Sequence, residues 1–92
     1  MPSVKIPPVL RKHTGDATEV DAAGSTVGEV LNNLVVAYPD TKEQLFSGEG
    51  ELNRFVNVYL NDEDVRVLDG LETAVGDTDT VMILPAMAGG SF

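Results

Sequence analysis

One segment limits the folds open to this chain more than any other. Val27, Val30, Leu31, Leu34, Val35 and Tyr38 follow one another at i, i+3, i+4, i+7, i+8 and i+11, the spacing that gathers side chains on one side of an α-helix. Ahead of them Thr26-Val27-Gly28-Glu29 has the form of a capping box, with the threonine hydroxyl accepting from the amide three residues on and Glu29 reaching back. Pro39 stops the helix. A stripe this wide must be covered. At ~1.5–3 kcal/mol for each large aliphatic side chain buried, it supplies much of a small core, and the strand-like segments around it identify the cover as a β-sheet.

Val4-Lys5-Ile6 alternates as a strand does, and Pro7-Pro8 removes two ladder donors, so the strand ends or bends there. A hairpin turn around His13-Thr14-Gly15-Asp16 leads into a second strand from Thr18 to Asp21, with Val20 as its core residue. Asp40-Thr41-Lys42-Glu43 repeats the cap pattern and predicts a short helical turn through Leu45-Phe46, ending at Ser47-Gly48. Glu49 to Asn53 reads as a loop pinned by Leu52. Phe55 to Leu60 alternates cleanly, with Val56, Val58 and Leu60 on one face and Phe55, Asn57 and Tyr59 on the other. A turn at Asn61-Asp62-Glu63-Asp64 leads to a strand at Val65-Arg66-Val67, and a helical turn at Leu71-Glu72-Thr73-Ala74 lies between turns at Asp69-Gly70 and Gly76-Asp77. The last strand, Thr80 to Leu84, turns Val81 and Ile83 inward and Met82 and Leu84 outward. The expected class is α+β, a mixed four- to five-stranded sheet covered by one main helix.

The chain's 92 residues suffice for one domain with one core, too little for a deep catalytic cavity with its own supporting shell. The net charge of −9 argues against nucleic acid or an anionic membrane as partner, because the phosphate interaction would be repulsive. Basic protein surfaces suit it better. Seven carboxylates lie between Asp62 and Asp79 with only Arg66 among them, which reads first as a solvated face and second as a docking surface. There is no cysteine, so disulfides, thiolate metal sites and a side-chain thiol nucleophile are excluded. Met1-Pro2-Ser3-Val4-Lys5 lacks the apolar core of a signal peptide, and no uncharged apolar run reaches the ~20 residues that cross a bilayer. A cytoplasmic placement is expected.

Few residues suggest catalysis. His13 is the single histidine and sits in an expected turn with no nucleophile or carboxylate beside it, so it reads as a surface residue. Asp62-Glu63-Asp64 are successive carboxylates in a hairpin, without the spacing of a calcium loop. Glu29 is accounted for by its cap. Nothing assembles a nucleophile, a base and an oxyanion site, and neither a resident metal nor a bound cofactor is expected. The informative segment is the end: from Thr80 to Phe92 no side chain is charged, and the last five residues are Ala88-Gly89-Gly90-Ser91-Phe92. A glycine pair can enter a narrow cleft in conformations closed to other residues and leaves its carbonyl unshielded.

A hairpin, a crossing helix and a last strand that runs into such a tail resemble the β-grasp, or ubiquitin-like, fold. Arg54-Phe55-Val56-Asn57-Val58-Tyr59-Leu60-Asn61-Asp62-Glu63-Asp64-Val65-Arg66, followed by Ile83-Leu84-Pro85-Ala86 and Gly89-Gly90, resembles the ThiS/MoaD family of sulfur-carrier proteins, and within it the actinobacterial carriers of cysteine biosynthesis. Ile6-Pro7, Leu10-Arg11, Thr14-Gly15 and Thr26-Val27-Gly28 extend the likeness over nearly the whole chain.

The resemblance implies a domain over residues 1–84 and a flexible tail over 85–92. In such carriers an enzyme related to ubiquitin-activating enzymes uses ATP to adenylate the terminal glycine, and a sulfur donor converts it to a thiocarboxylate. The carrier is a co-substrate, not an enzyme. Here Gly90 takes that role, Pro85, Ala86, Met87, Ala88 and Gly89 form the arm that enters the partner, and Ser91-Phe92 is an extension for a JAMM-type zinc peptidase to remove. A cysteine-synthase-like or other sulfur-accepting enzyme is the implied recipient. Phe55, Tyr59, Met82 and Leu84 share the sheet face away from the helix and are the expected docking patch. Two other readings stay open: a ubiquitin-like modifier conjugated to lysines, and a non-covalent binding module such as the small subunit of molybdopterin synthase.

Overall fold

The computed structural model describes residues 1–46, 52, 53 and 56–85. Five strands and two α-helices follow in the order β1 (Ser3–Lys5), β2 (Glu19–Asp21), α1 (Val27–Ala37), α2 (Lys42–Leu45), β3 (Val56–Leu60), β4 (Glu63–Asp64) and β5 (Thr80–Pro85). They form one sheet in the order β2-β1-β5-β3-β4. The first and last long-range partners, β1 and β5, run parallel, while every other pairing is antiparallel. This is the β-grasp arrangement, and it places β5 at the centre of the sheet, hydrogen-bonded on both sides.

The apolar stripe does what its spacing requires. Val27, Val30, Leu31 and Leu34 of α1 are buried together with Val4, Val58, Val81 and Ile83 from the inner face of the sheet, and Val20, Val35 and Tyr38 pack against the edge of this cluster. The helix starts where expected: Thr26 Oγ1 accepts from the Glu29 amide at 3.2 Å. Glu29 reaches back to the Ser25 amide, at 2.8 Å, so the box closes one residue ahead of the cap. The approach to this turn needs a glycine. Gly24 has φ +154°, and a Cβ built there would sit 2.7 Å from the Val30 nitrogen.

Four expectations are corrected. The link from β1 to β2 is more than a turn: Pro8–His13 forms a 3-10 helix, to whose first position proline is suited because no amide is needed there. Val65–Val67 is a 3-10 turn and not a strand, because Asp64 accepts from the Arg66 amide at 2.8 Å and bends the backbone away from the sheet. Only Glu63–Asp64 pair with β3, after a two-residue loop in which Asn61 and Asp62 both have positive φ, at 49° and 77°, as a type I′ hairpin demands. Asp40 caps nothing: a 3-10 turn over Pro39–Thr41 runs directly into α2 without a side-chain cap, and the buried Thr41 hydroxyl donates to the Tyr38 carbonyl at 2.7 Å. α2 ends at Leu45, Phe46 is extended and bridges to Leu52, and Ser47-Gly48 lie outside the described residues. Finally, the helical turn expected over Leu71–Ala74 begins a residue earlier, as a 3-10 turn at Gly70–Glu72.

Candidate functional site: the last strand and the open face of the sheet

β5 carries alternate side chains to opposite faces. Val81 and Ile83 are buried beneath α1, whereas Met82 is half-buried and Leu84 is 38% exposed on the uncovered side. Register extends these two residues into rows. Met82 lies opposite Tyr59 on one side and Lys5 on the other; Lys5 in turn faces Glu19, and Tyr59 faces Asp64. A row Glu19, Lys5, Met82, Tyr59, Asp64 therefore crosses all five strands, apolar in the middle and charged at both ends.

Leu84 lies opposite Asn57, whose Oδ1 accepts from Arg66 Nη1 at 2.8 Å. The same guanidinium donates to the carbonyls of Val56, at 2.9 Å, and Asn53, at 3.3 Å. Arg66 thus ties the turn after β4 to the entry of β3, a role that no motif in the sequence signals because it joins residues nine to thirteen positions apart. Tyr59 and Met82 are brought side by side as expected, and Leu84 shares their face. Phe55 lies outside the described residues. The patch differs from a continuous apolar surface in that Asn57 and Arg66 border Leu84, and Lys5 and Asp64 border the Met82–Tyr59 pair.

The start of β5 is fixed by a side-chain network. Asn61 Nδ2 donates to Asp79 Oδ1 at 2.9 Å, its Oδ1 accepts from the Thr80 amide at 2.9 Å, and its own amide donates to the Thr80 carbonyl at 3.0 Å. The Gly76 amide donates to Asp79 Oδ2 at 2.8 Å, and the Ser3 amide to the Asp79 carbonyl at 3.2 Å. The Gly76 amide first, and the Asn61 side chain second, hold the Asp79 carboxyl below its ordinary value of 3.8, because both bonds favour the charged form. One end of the strand is thereby anchored to its neighbours on both sides.

At the other end, Pro85 is the last residue of β5 and lies opposite Val56. Ala86, Met87, Ala88, Gly89, Gly90, Ser91 and Phe92 fall outside the described residues. His13 closes the 3-10 helix after β1 and is half-buried. Asp62, Glu63 and Asp64 occupy the β3–β4 turn, and among the described residues no three His, Asp or Glu side chains gather as a metal-binding group. No helix among them is long and apolar enough to cross a membrane. What this framework does is hold one strand rigidly and deliver the chain beyond Pro85 from the middle of the sheet.

Known proteins share this framework along its whole length. The model of the ThiS family matches residues 4–90. The sulfur carrier protein CysO of Mycobacterium tuberculosis is 51% identical over 90 residues, covering 96% of this chain and 97% of that protein. In the crystal structure of the Amycolatopsis orientalis BexX/CysO complex, the matching chain superposes with a TM-score of 0.89 at 48% identity, covering 98% of this chain and 100% of that one. The solution structure of small archaeal modifier protein 1 from Methanosarcina acetivorans matches with a TM-score of 0.85 at 34% identity, covering 96% and 94%. These relatives are small ubiquitin-like carriers and modifiers, not enzymes. With that match extending from β1 through Gly90, this chain belongs to the ThiS family and is CysO-like in sequence and fold.

Proposed function

We propose that the protein is a sulfur carrier whose Gly90, freed by removal of Ser91-Phe92, is converted to a thiocarboxylate that donates sulfur in biosynthesis. The observation that carries this reading is the 51% identity to CysO spread over 96% of the chain. The family match, which runs through Gly90 and leaves Ser91 and Phe92 outside, supports the position. The chemistry belongs to partners. The Gly90 carboxylate attacks the α-phosphorus of ATP on an adenylating enzyme and expels pyrophosphate. A sulfide equivalent then adds to the acyl carbon and AMP leaves, exchanging one carboxylate oxygen for sulfur without net oxidation or reduction. A JAMM-type zinc peptidase is the proposed trimming enzyme, and a cysteine-synthase-like enzyme the proposed acceptor.

The open face supplies the docking surface in this reading. Tyr59, Met82 and Leu84, with Phe55, make the apolar contact, and the charged ends of the row at Glu19, Lys5 and Asp64 fix its direction. Threading Pro85 to Gly90 into an active site costs about 1–2 kcal/mol for each residue ordered, so the domain must provide most of the affinity. The arm has no charged side chain, which suits a channel poor in water.

Intact-mass analysis tests the proposal directly. The chain ending at Gly90, incubated with its activating enzyme, ATP and sulfide, is expected to exchange one oxygen for sulfur, and the 92-residue chain to remain unchanged. A trimmed chain that stays unmodified under conditions that load a related carrier would end this reading. The likeness to small archaeal modifier protein 1 favours a second one, conjugation through Gly90 to lysines of other proteins. Gly-Gly remnants on lysines in digests of cells expressing the trimmed chain, lost on deletion of Gly90, are its expected signature.

A further inference from the structure

A second apolar surface lies where β5 ends. Pro7, Val9 and Leu10 from the β1–β2 link, Gln44 from α2, Asn53, and Val56 and Ile83 from the sheet enclose a cleft of about 210 Å³. An apolar cavity of about 150 Å³ is enough to hold benzene, so the cleft has room for one aromatic ring. Its lining is mostly aliphatic. Val9 at its rim is 57% exposed, an unusual place for a β-branched apolar side chain that packs on nothing else. The open sheet face is separate, because Val56 and Ile83 point to the helix side while Met82 and Leu84 point away.

The chain itself carries a matching group. Val56 lies opposite Pro85, so the segment that begins at Ala86 starts at the edge of the cleft. Seven residues separate Pro85 from the end of Phe92, a reach of up to about 23–25 Å when extended. Gly89-Gly90 allows the chain to reverse without steric cost, which returns Ser91 and Phe92 towards the strand end. None of the seven carries a charged side chain, so nothing opposes their approach to an apolar surface. Phe92 is the one aromatic residue among them.

We infer that in the 92-residue chain the Phe92 ring occupies the cleft between Val9, Leu10, Val56 and Ile83, latching Gly89-Gly90 against the domain until Ser91-Phe92 is removed. The contact stands independently of the sulfur-carrier reading; its consequence, that Gly90 is withheld from an activating enzyme in the precursor, rests on that reading. The extension is then a plug as well as a block. It covers the cleft with the side chain that cleavage takes away, so trimming exposes an apolar surface beside the freed arm.

Methyl-resolved NMR on the full chain tests the latch. Cross-relaxation from the Phe92 ring to the methyls of Val9, Leu10, Val56 and Ile83 is expected, together with ring-current shifts of those methyls that disappear in Phe92→Ala and in the chain ending at Gly90. Val9→Asp, at an exposed rim position that leaves the core intact, is expected to release the ring and reproduce the Phe92→Ala positions. Identical methyl shifts in the 92- and 90-residue chains, without ring contacts, would overturn the inference. So would contacts seen only between differently labelled molecules, which would assign the ring to a second copy, or shifts that survive Phe92→Ala and follow Met87. Sulfur loading of the trimmed chain is scored separately, so either proposal can fail alone.

Discussion

The two faces of the sheet are built from the same kinds of residue and serve different ends. On the helix side Val4, Val58, Val81 and Ile83 are at most 1% exposed, and each contributes the transfer of nearly its whole side chain out of water. On the open side Tyr59 and Met82 keep part of their surface in solvent, and Leu84 is 38% exposed among Asn57, Arg66, Lys5 and Asp64. The inner face therefore sets stability. The outer face contributes less to folding, which leaves its composition free to answer to a partner.

The sharpest test of that division is a truncation under the sheet. Leu34→Ala, at a residue 1% exposed, is expected to cost about 2–5 kcal/mol, read as a fall in the urea midpoint with the slope unchanged. Next in size is the helix start, where Thr26→Ala removes the acceptor of the Glu29 amide. It should cost about 0.5–2 kcal/mol, and Thr26→Ser should restore most of it in the same melts. Leu84→Ala on the open face is expected to cost no more than about 1 kcal/mol while weakening capture by the activating partner. A loss of stability as large as that of Leu34→Ala would erase the distinction between the faces.

The smallest effect concerns the root of β5. Asp79 is held below 3.8 by the Gly76 amide and the Asn61 side chain, so its contribution is present above the unfolded value and is lost as pH falls through the lower folded value. Thermal melts should show the wild type losing more stability than Asp79→Asn between neutral pH and pH values below 3.8. Equal losses would mean that the network does not bias the carboxyl.

Much of this was legible because the signals are local. The stripe from Val27 to Tyr38, the Thr26 cap, the alternation of Val56 to Leu60 and the in–out pattern of Val81 to Leu84 each follow from the period of one element, and each is borne out. Val65–Val67 misled because its apolar ends mimic a strand, while the outcome depends on whether Asp64 bonds the Arg66 amide. Asp40 misled for the opposite reason: the cap pattern is present, but Pro39 commits the backbone to a 3-10 turn. The docking patch was half legible, since alternation gives the face of Tyr59, Met82 and Leu84 but not their neighbours.

The amino-acid sequence by itself determined that one amphipathic helix covers a sheet, that the last strand is apolar and that it leads to Gly89-Gly90. Those are properties of spacing and residue type along the chain. Only the tertiary structure decided that β5 lies between β1 and β3, that Met82 meets Tyr59 and Lys5, that Arg66 grips the entry of β3, and that a cleft opens beside Pro85. These depend on register between segments far apart in the chain, which no local period encodes, because a strand satisfies its hydrogen bonds with whichever neighbour the packing of the whole core brings to it.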